Sequence, residues 1–227
     1  MFISTKLAVI FSVIVAVGCG VVSSSTKTPA IAGSQPEIGE APFTQSAKGQ
    51  QTAVFAGGCF WGVEAVFEHV NGVTDVKSGY TGGDAKTANY ERVSDGDTGH
   101  AEVVEIKFDP AKVTYEQLLE VFFSVVHDPT QLNYQGPDHG TQYRSAIFYT
   151  DETQKNEATA YIKKLEDAKT FPKKIVTQVV PLEQFFVAEG YHQDYMKKNP
   201  NDSYIVYHDK PKVEALKAKF SGLFAEK

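Results

Sequence analysis

Cysteine is scarce in this 227-residue chain, which contains only two, Cys19 and Cys59. A zinc site needs several Cys or His ligands at short spacing, and the six histidines here are scattered along the sequence. A thiolate-rich metal site is therefore excluded. If Cys19 is modified or removed, Cys59 has no partner for a disulfide within the chain, which favours a reactive role for its thiol.

Positive charge is also in short supply, with 22 lysines and arginines against 28 acidic residues and a formal net charge of −6. Nucleic-acid binding relies on a basic surface, so this class of partner is excluded. Apolar residues make up 42% of the chain and aromatic residues 12%. That composition is sufficient for a globular domain with a sizeable core.

Long apolar runs are rare, and the one at residues 7–17 follows Lys6 near the N-terminus. It is shorter than the roughly 20 residues that span a bilayer, which predicts a secretory signal peptide over residues 1–18. The small residues before Cys19 resemble a bacterial lipobox, in which the cysteine becomes the lipid-modified first residue. Ordinary cleavage with release of a soluble protein is the alternative. In both cases we expect export to the periplasmic side of the bacterial cell envelope.

Residues 19–50 are rich in Ser, Thr, Pro, Gly, Ala and Gln and show no apolar periodicity. Such a segment cannot bury enough surface to fold, so we predict a flexible tether. Residues 51–227 have the length of one domain, which we expect to be a monomer. Their hydrophobic periodicity predicts a mixture of helices and strands. The predicted strands cover residues 52–55, 73–76, 102–108, 145–149 and 175–180, and helices follow residue 62 and cover 114–126, 152–168 and 190–198.

Cys59 lies where the first predicted strand turns into a helix, between Gly58 and the aromatic pair Phe60 and Trp61. Free backbone N–H groups and the helix dipole stabilise a thiolate at a helix N-terminus, and the thiolate is the nucleophilic form. The two aromatic side chains offer an apolar wall for a substrate. The alternative is that Cys59 is a small buried core residue and that the glycines only serve the turn.

Glu102 begins a strand whose alternate residues, Val104 and Ile106, are apolar and should face the core. Burial would raise the pKa of Glu102 and suit it to donate a proton near neutral pH. A solvated position at the sheet edge is an equally good interpretation of this pattern. Tyr90 and Tyr143 lie in or beside loops, where a hydroxyl could bind a polar substrate atom or cap the core edge.

Several motifs resemble, in order, those of the type A peptide methionine sulfoxide reductase family, and the resemblance extends from about residue 51 to about residue 220. They are Gly57-Gly58-Cys59-Phe60-Trp61-Gly62, Gly79-Tyr80-Thr81-Gly82-Gly83, Gly99-His100-Ala101-Glu102-Val103-Val104, His127-Asp128-Pro129-Thr130, Asp138-His139-Gly140-Thr141-Gln142-Tyr143-Arg144-Ser145 and Tyr191-His192-Gln193.

The resemblance implies an α+β fold, a two-layer sandwich of a mixed sheet and packed helices, and a role for each matching residue. Cys59 would attack the sulfur of methionine S-sulfoxide, free or in proteins, and end as a sulfenic acid. Glu102 would protonate the sulfoxide oxygen, which Tyr90 and Tyr143 would hydrogen-bond. Asp138 would organise the site as a buried carboxylate. Phe60 and Trp61 would hold the methyl group of the substrate.

Many members of this family carry resolving cysteines near the C-terminus, whereas no cysteine follows Cys59 here. We therefore expect no bound cofactor and regeneration by an external thiol, either a thioredoxin-like protein, glutaredoxin or glutathione.

Two other classes of protein remain open. One is a hydrolase or acyltransferase that pairs Cys59 with His100, His139 or His192 as a base. The other is a non-catalytic lipoprotein that binds an aromatic or methyl-bearing ligand at Phe60 and Trp61.

Overall fold

The computed structural model of this chain describes residues 49–227. The predicted signal peptide, Cys19 and all but the last two residues of the predicted tether lie outside the described residues. Among the residues described, no helix is both long enough and apolar enough to cross a bilayer.

A six-stranded sheet forms the centre of the domain, with the strand order β7-β6-β1-β3-β2-β8. Neighbouring strands run antiparallel except β6 and β7, which are parallel, so the sheet is mixed as expected. A separate two-stranded ribbon joins β4 and β5. The strands are β1 (Gln51–Gly57), β2 (Val73–Thr81), β3 (Ala101–Phe108), β4 (Tyr134–Gln135), β5 (Asp138–His139), β6 (Ser145–Tyr149), β7 (Gln178–Pro181) and β8 (Phe186–Val187).

Six α-helices accompany the strands in the described part of the chain. α3 continues into a π-helical turn, Phe122–Val126, and a second π-helical turn, Ile205–Asp209, leads into α6. The predicted capping box at the start of α3 is present, since Thr114 and Gln117 bond each other's backbone N–H groups. The helices are α1 (Phe60–Glu68), α2 (Tyr90–Ser94), α3 (Tyr115–Val121), α4 (Glu152–Asp167), α5 (Tyr195–Lys198) and α6 (Lys210–Lys219).

The sheet has one helix-covered face and one smaller apolar face. Alternate residues of the strands divide between them, so that Phe55 and Ile106 join the large core while Val54 and Val103 join the small cluster. The buried hydrophobic residues of α1, α3, α4 and α6 all belong to the large core. This arrangement confirms the α+β fold with helices layered on a mixed sheet, in a single domain.

Two predicted elements are shorter in the structure. The strand predicted over 175–180 forms only as β7, because the N–H of Val176 donates to the carbonyl of Pro129 outside the sheet. The helix predicted over 190–198 forms only as α5, because Asp194 adopts a left-handed backbone with φ 51° that ends any helix before it.

Two further differences concern the connection after β2 and the C-terminal helix. β2 extends to Thr81, and the glycine-rich connection that follows it contains α2, so Tyr90 begins a short helix rather than lying in an irregular loop. α6 was not predicted from the sequence. Its polar composition gives little apolar periodicity, although Val213 and Leu216 are buried.

Candidate active site

Cys59 occupies the N-cap position of α1, directly after the turn that leaves β1. Gly58 makes this turn with φ 93°, and the side chain of Gln135 packs where a Cβ atom would stand, so a larger residue does not fit there. Cys59 is a free cysteine with only 8% of its surface exposed. The predicted position between strand and helix is confirmed.

The ionisation of Cys59 differs from the sequence-based expectation. Burial raises the pKa of its thiol well above the ordinary value, and negative charge on the nearby Glu102 and Asp209 side chains raises it further. The backbone N–H of Trp61 and the ammonium of Lys212 lower that pKa but do not outweigh the burial. The prediction of a thiolate stabilised by the helix was therefore wrong for the resting protein, in which Cys59 is a thiol.

Glu102 lies on β3 with its side chain on the core face and only 3% exposed. One carboxyl oxygen, Oε2, accepts a hydrogen bond of 3.0 Å from the backbone N–H of Phe60, the residue after Cys59. Burial raises the pKa of Glu102 to about 8, the charge of Asp138 adds to the rise, and the Phe60 hydrogen bond opposes it. The buried interpretation is confirmed, and Glu102 carries a proton at neutral pH.

Phe60 and Trp61 form an aromatic wall beside the thiol. Phe60 is 1% exposed and packs against Tyr80 with 5.8 Å between ring centroids. Trp61 is partly exposed, stacks on Tyr195 at 3.7 Å and meets the edge of Tyr204 at 5.9 Å. Trp61 therefore provides the accessible part of the wall and Phe60 its buried support.

The hydroxyl groups of Tyr90 and Tyr143 lie near the thiol and the acid. The pKa of each is raised by burial and then by the charges of Glu102 and Cys59, and Asp138 also acts on Tyr143. Tyr90 starts α2, and Tyr143 ends the 3-10 turn before β6. The structure thus brings together these two tyrosines, which are separated by more than fifty residues in the sequence.

Asp138 joins this group from the β4–β5 ribbon and accepts a short hydrogen bond from the hydroxyl of Tyr204. Its side chain is half-buried rather than fully buried, which corrects the expectation from the family resemblance. The ring of Tyr204 contacts Trp61, and the hydroxyl of Tyr204 donates to Asp138. Both residues therefore help to position the aromatic wall.

Sequence reasoning missed His192 and Glu189 as supports of the site. The Nε1–H of Trp61 donates to Nδ1 of His192 at 3.1 Å, and His192 is 1% exposed. Glu189 accepts from the backbone N–H of Tyr90 and from the hydroxyl of Tyr80, both at 2.9 Å. The motif Tyr191-His192-Gln193 could have identified His192 as a residue of the site. The C-terminal residues Asp209 and Lys212 were also missed, and no motif identified them.

None of the histidine hydrogen bonds described for residues 49–227 reaches Cys59. His100 contacts the carbonyl of Asp84, His127 contacts Phe122 and Ser145, and His192 accepts from Trp61. His139 is exposed and stacks on a tyrosine. A cysteine–histidine pair for hydrolysis or acyl transfer is therefore not supported.

In the described part of the chain, no three His, Cys, Asp or Glu side chains are grouped so that they could hold a metal ion. The site instead joins a buried thiol, a protonated carboxyl group, two phenols and an aromatic wall.

A family model described as peptide methionine sulfoxide reductase matches residues 51–223. The chain belongs to this family. It is therefore an oxidoreductase that reduces methionine sulfoxide, and the hydrolase alternative is not supported. Cys59 and the six other predicted site residues of the domain all lie inside the matched range, namely Phe60, Trp61, Tyr90, Glu102, Asp138 and Tyr143.

Named relatives agree with this assignment. Peptide methionine sulfoxide reductase MsrA 2 of Mesorhizobium japonicum is 57% identical over 183 residues, which cover 81% of this chain and 94% of that protein. The MsrA 2 protein of a Synechocystis species is 52% identical over 186 residues, covering 82% and 87%.

Solved reductase structures share the fold. Mxr1 from Saccharomyces cerevisiae in reduced form aligns with a TM-score of 0.61 at 35% identity, covering 67% of this chain and 87% of that chain. Methionine sulfoxide reductase A of Corynebacterium diphtheriae aligns with a TM-score of 0.59 at 34% identity, covering 68% and 77%.

Proposed function

We propose that this reductase acts on the S epimer of methionine sulfoxide, free and in oxidised proteins, with Cys59 as the nucleophile and Glu102 as the acid. The observation that carries the proposal is the hydrogen bond from the backbone N–H of Phe60 to Glu102. It holds a carboxyl group of raised pKa against the backbone of Phe60, the residue that directly follows Cys59. A thiol and a proton donor side by side are what reduction of a sulfoxide needs.

The reaction begins when the Cys59 sulfur attacks the sulfoxide sulfur and Glu102 gives its proton to the sulfoxide oxygen. The thiol proton passes to the carboxylate that Glu102 leaves behind. The hydroxyl oxygen then moves from the methionine sulfur to the Cys59 sulfur. The new bond between the two sulfur atoms and the bond between the methionine sulfur and the oxygen both break, a sulfur–oxygen bond to Cys59 forms, and Cys59 ends as a sulfenic acid. Methionine is reduced by two electrons and Cys59 is oxidised by two, so atoms, charge and electrons balance.

The surrounding residues hold the substrate for this step. The hydroxyls of Tyr90 and Tyr143 hydrogen-bond the sulfoxide oxygen without introducing charge. Trp61, supported by Phe60, contacts the substrate methyl group in an apolar environment. Asp138 accepts the short hydrogen bond of the Tyr204 hydroxyl and so holds Tyr204 against Trp61.

Regeneration needs an external thiol, because Cys59 is the only cysteine in residues 51–227. The thiol attacks the sulfenic acid and releases water, leaving a mixed disulfide, and a second thiol then restores Cys59. A thioredoxin-like protein, glutaredoxin or glutathione supplies these thiols, and no bound cofactor takes part.

We also propose that the enzyme works on the periplasmic side of the bacterial envelope, held by a lipid on Cys19 and a tether over residues 19–50. The support is the apolar run at residues 7–17 and the small residues before Cys19. Intact mass spectrometry of the protein from membranes tests this, since an acylated Cys19 as the first residue supports it. A soluble mature protein that begins elsewhere would contradict the anchor.

Turnover of the two sulfoxide epimers tests the proposed activity. With dithiothreitol as the reductant, the enzyme should form methionine from the S epimer and leave the R epimer unchanged. Cys59→Ser should form none, because a serine hydroxyl is far less acidic than a thiol and forms no sulfenic acid. Methionine production by the Cys59→Ser variant, or from the R epimer alone, would contradict the proposal.

A further inference from the structure

A buried ion pair joins Asp209, at the end of the second π-helical turn, to Lys212 in the first turn of α6. Nζ of Lys212 lies 3.1 Å from Oδ1 of Asp209. The Asp209 side chain is completely buried, and that of Lys212 is 20% exposed. This pair lies in the C-terminal segment, which carries no cysteine in this chain.

The pair rests directly on the first turn of α1. Gly62, the third residue of that helix, makes space for the ion pair. A Cβ atom at this position would overlap Oδ1 of Asp209 and lie 2.9 Å from Nζ of Lys212. Cys59 caps the same turn. Both charges therefore lie within one helical turn of the nucleophile.

Stability alone does not account for this arrangement. The second carboxyl oxygen of Asp209, Oδ2, is buried without a hydrogen-bond partner among the residues described. A buried charge of this kind costs free energy, and replacing a buried ion pair by apolar residues is often neutral or stabilising. An incompletely satisfied pair beside a reactive thiol therefore suggests a role in the chemistry.

The two charges act on Cys59 in opposite directions. Glu102 and Asp209 disfavour the thiolate, whereas Lys212 and the backbone N–H of Trp61 favour it. Other titratable groups near the thiol are Tyr90, Tyr143 and Tyr204. Asp209 itself faces Asp138 and His208 besides Lys212, and Lys212 also faces His127, which burial keeps neutral with a pKa of about 4.

We propose that Lys212 and Asp209 are positioning residues that tune the ionisation of Cys59: the Lys212 ammonium stabilises negative charge on the attacking sulfur, and Asp209 fixes that ammonium against α1 and limits its effect. The inference rests on Cys59 being the nucleophile. It predicts opposite effects on the thiol when the two charges are removed, which a purely structural role does not.

Alkylation of Cys59 by neutral iodoacetamide between pH 7 and 9 tests the proposal. The full-length protein is used, and the Cys59 peptide is quantified by mass spectrometry so that any Cys19 is counted separately. Asp209→Asn keeps the shape and removes the negative charge, so alkylation should become about threefold faster for each unit by which the thiol pKa falls, after allowance for lower nucleophilicity. Adding Lys212→Met should reverse this gain, and adding Lys212→Arg instead should preserve it.

The proposal is overturned if Asp209→Asn fails to speed alkylation, or if Lys212→Met and Lys212→Arg change the rate equally in the Asp209→Asn background. The Asp209→Asn result decides alone if the double variants do not fold, as circular dichroism will show. Alkylation reports on the thiol whatever reaction it performs. Failure of the reductase assignment would instead appear in methionine formation, which is measured separately.

Discussion

Methionine formation by this enzyme should fall as the pH rises through about 8, because Glu102, the proposed acid, must carry the proton that it gives to the sulfoxide oxygen. Burial raises the pKa of this carboxyl group from 4.5 to about 8, with a further contribution from Asp138. A raised pKa keeps the acid form present at neutral pH and removes it above 8.

The size of the effect follows from that pKa of about 8. About 90% of Glu102 carries a proton at pH 7 and about 10% at pH 9, whereas an ordinary glutamate would be less than about 1% protonated at pH 7. Because the pKa of the Cys59 thiol is also raised, both groups are protonated in the reacting state. The rate of the chemical step should therefore be flat below pH 7 and fall about tenfold per unit well above pH 8.

Glu102→Gln removes the transferable proton and should slow the chemical step by about a hundredfold or more at neutral pH. It should also abolish the fall near pH 8. Glu105→Gln is a matched control, since Glu105 is on the same strand, points to the opposite face and pairs with Lys107 at 3.8 Å. That variant should keep the wild-type rate and pH profile.

The assay is single turnover, in which enzyme in excess converts methionine sulfoxide to methionine without added reductant. Because no external thiol is present, its ionisation cannot affect the pH profile of the rate. A rate that rises from pH 7 to 9 would show that the thiolate form reacts and would contradict the assignment of Glu102 as the acid. So would a Glu102→Gln variant that keeps the wild-type rate between pH 6 and 8.

Three other substitutions have defined outcomes. Trp61→Ala should raise the KM for methionine sulfoxide about tenfold in steady-state assays, because it removes the exposed part of the apolar wall. Gly62→Ala should lower the free energy of unfolding by about 1 to 3 kcal/mol in denaturant titrations, since its Cβ overlaps the Asp209 carboxylate. Glu64→Gln should stabilise the protein by up to about 3 kcal/mol more at pH 8 than at pH 5. Burial raises the pKa of Glu64 to about 8, so stability present at low pH is lost as the pH rises towards that value. An unchanged KM for Trp61→Ala would contradict the first expectation, and an unchanged free energy of unfolding for Gly62→Ala the second. A stability difference between Glu64→Gln and wild type that does not vary with pH would contradict the third.

Local sequence patterns were sufficient to place the two central groups. The glycines before Cys59 and the helical spacing after it located the thiol at the start of α1, as the structure has it. The alternation from Glu102 through Val104 and Ile106 predicted the face of β3 that carries Glu102, but it left a solvated position at the sheet edge open, and only the structure shows the carboxyl group to be buried. Both patterns depend on residues within a few positions of the group concerned, which is why they can be recognised in a sequence.

The state of the thiol could not be predicted in the same way. Its pKa is set by burial and by Glu102, Asp209 and Lys212, which come from other elements and approach Cys59 only in the folded chain. The helix N-terminus was a real but smaller influence. Non-local burial therefore outweighed the local signal.

The outer supports of the site were missed for a similar reason. His192, Glu189 and Tyr204 act through hydrogen bonds and ring contacts with residues far away in the sequence. The polar pattern of α6 gave no sign that its first turn packs on α1. The shortened α5 depended on one left-handed residue, Asp194, whose conformation no periodicity indicates.

Mass spectrometry after a single equivalent of methionine S-sulfoxide, without reductant, shows whether Cys59 takes up the sulfoxide oxygen. We expect one free methionine per enzyme and a protein heavier by one oxygen atom, with Cys59 labelled by a sulfenic-acid reagent and no change in the Cys59→Ser variant. Methionine formed without oxidation of Cys59 would contradict the mechanism. A disulfide between Cys19 and Cys59 in protein from native membranes would contradict both the lipid anchor and the use of a single cysteine.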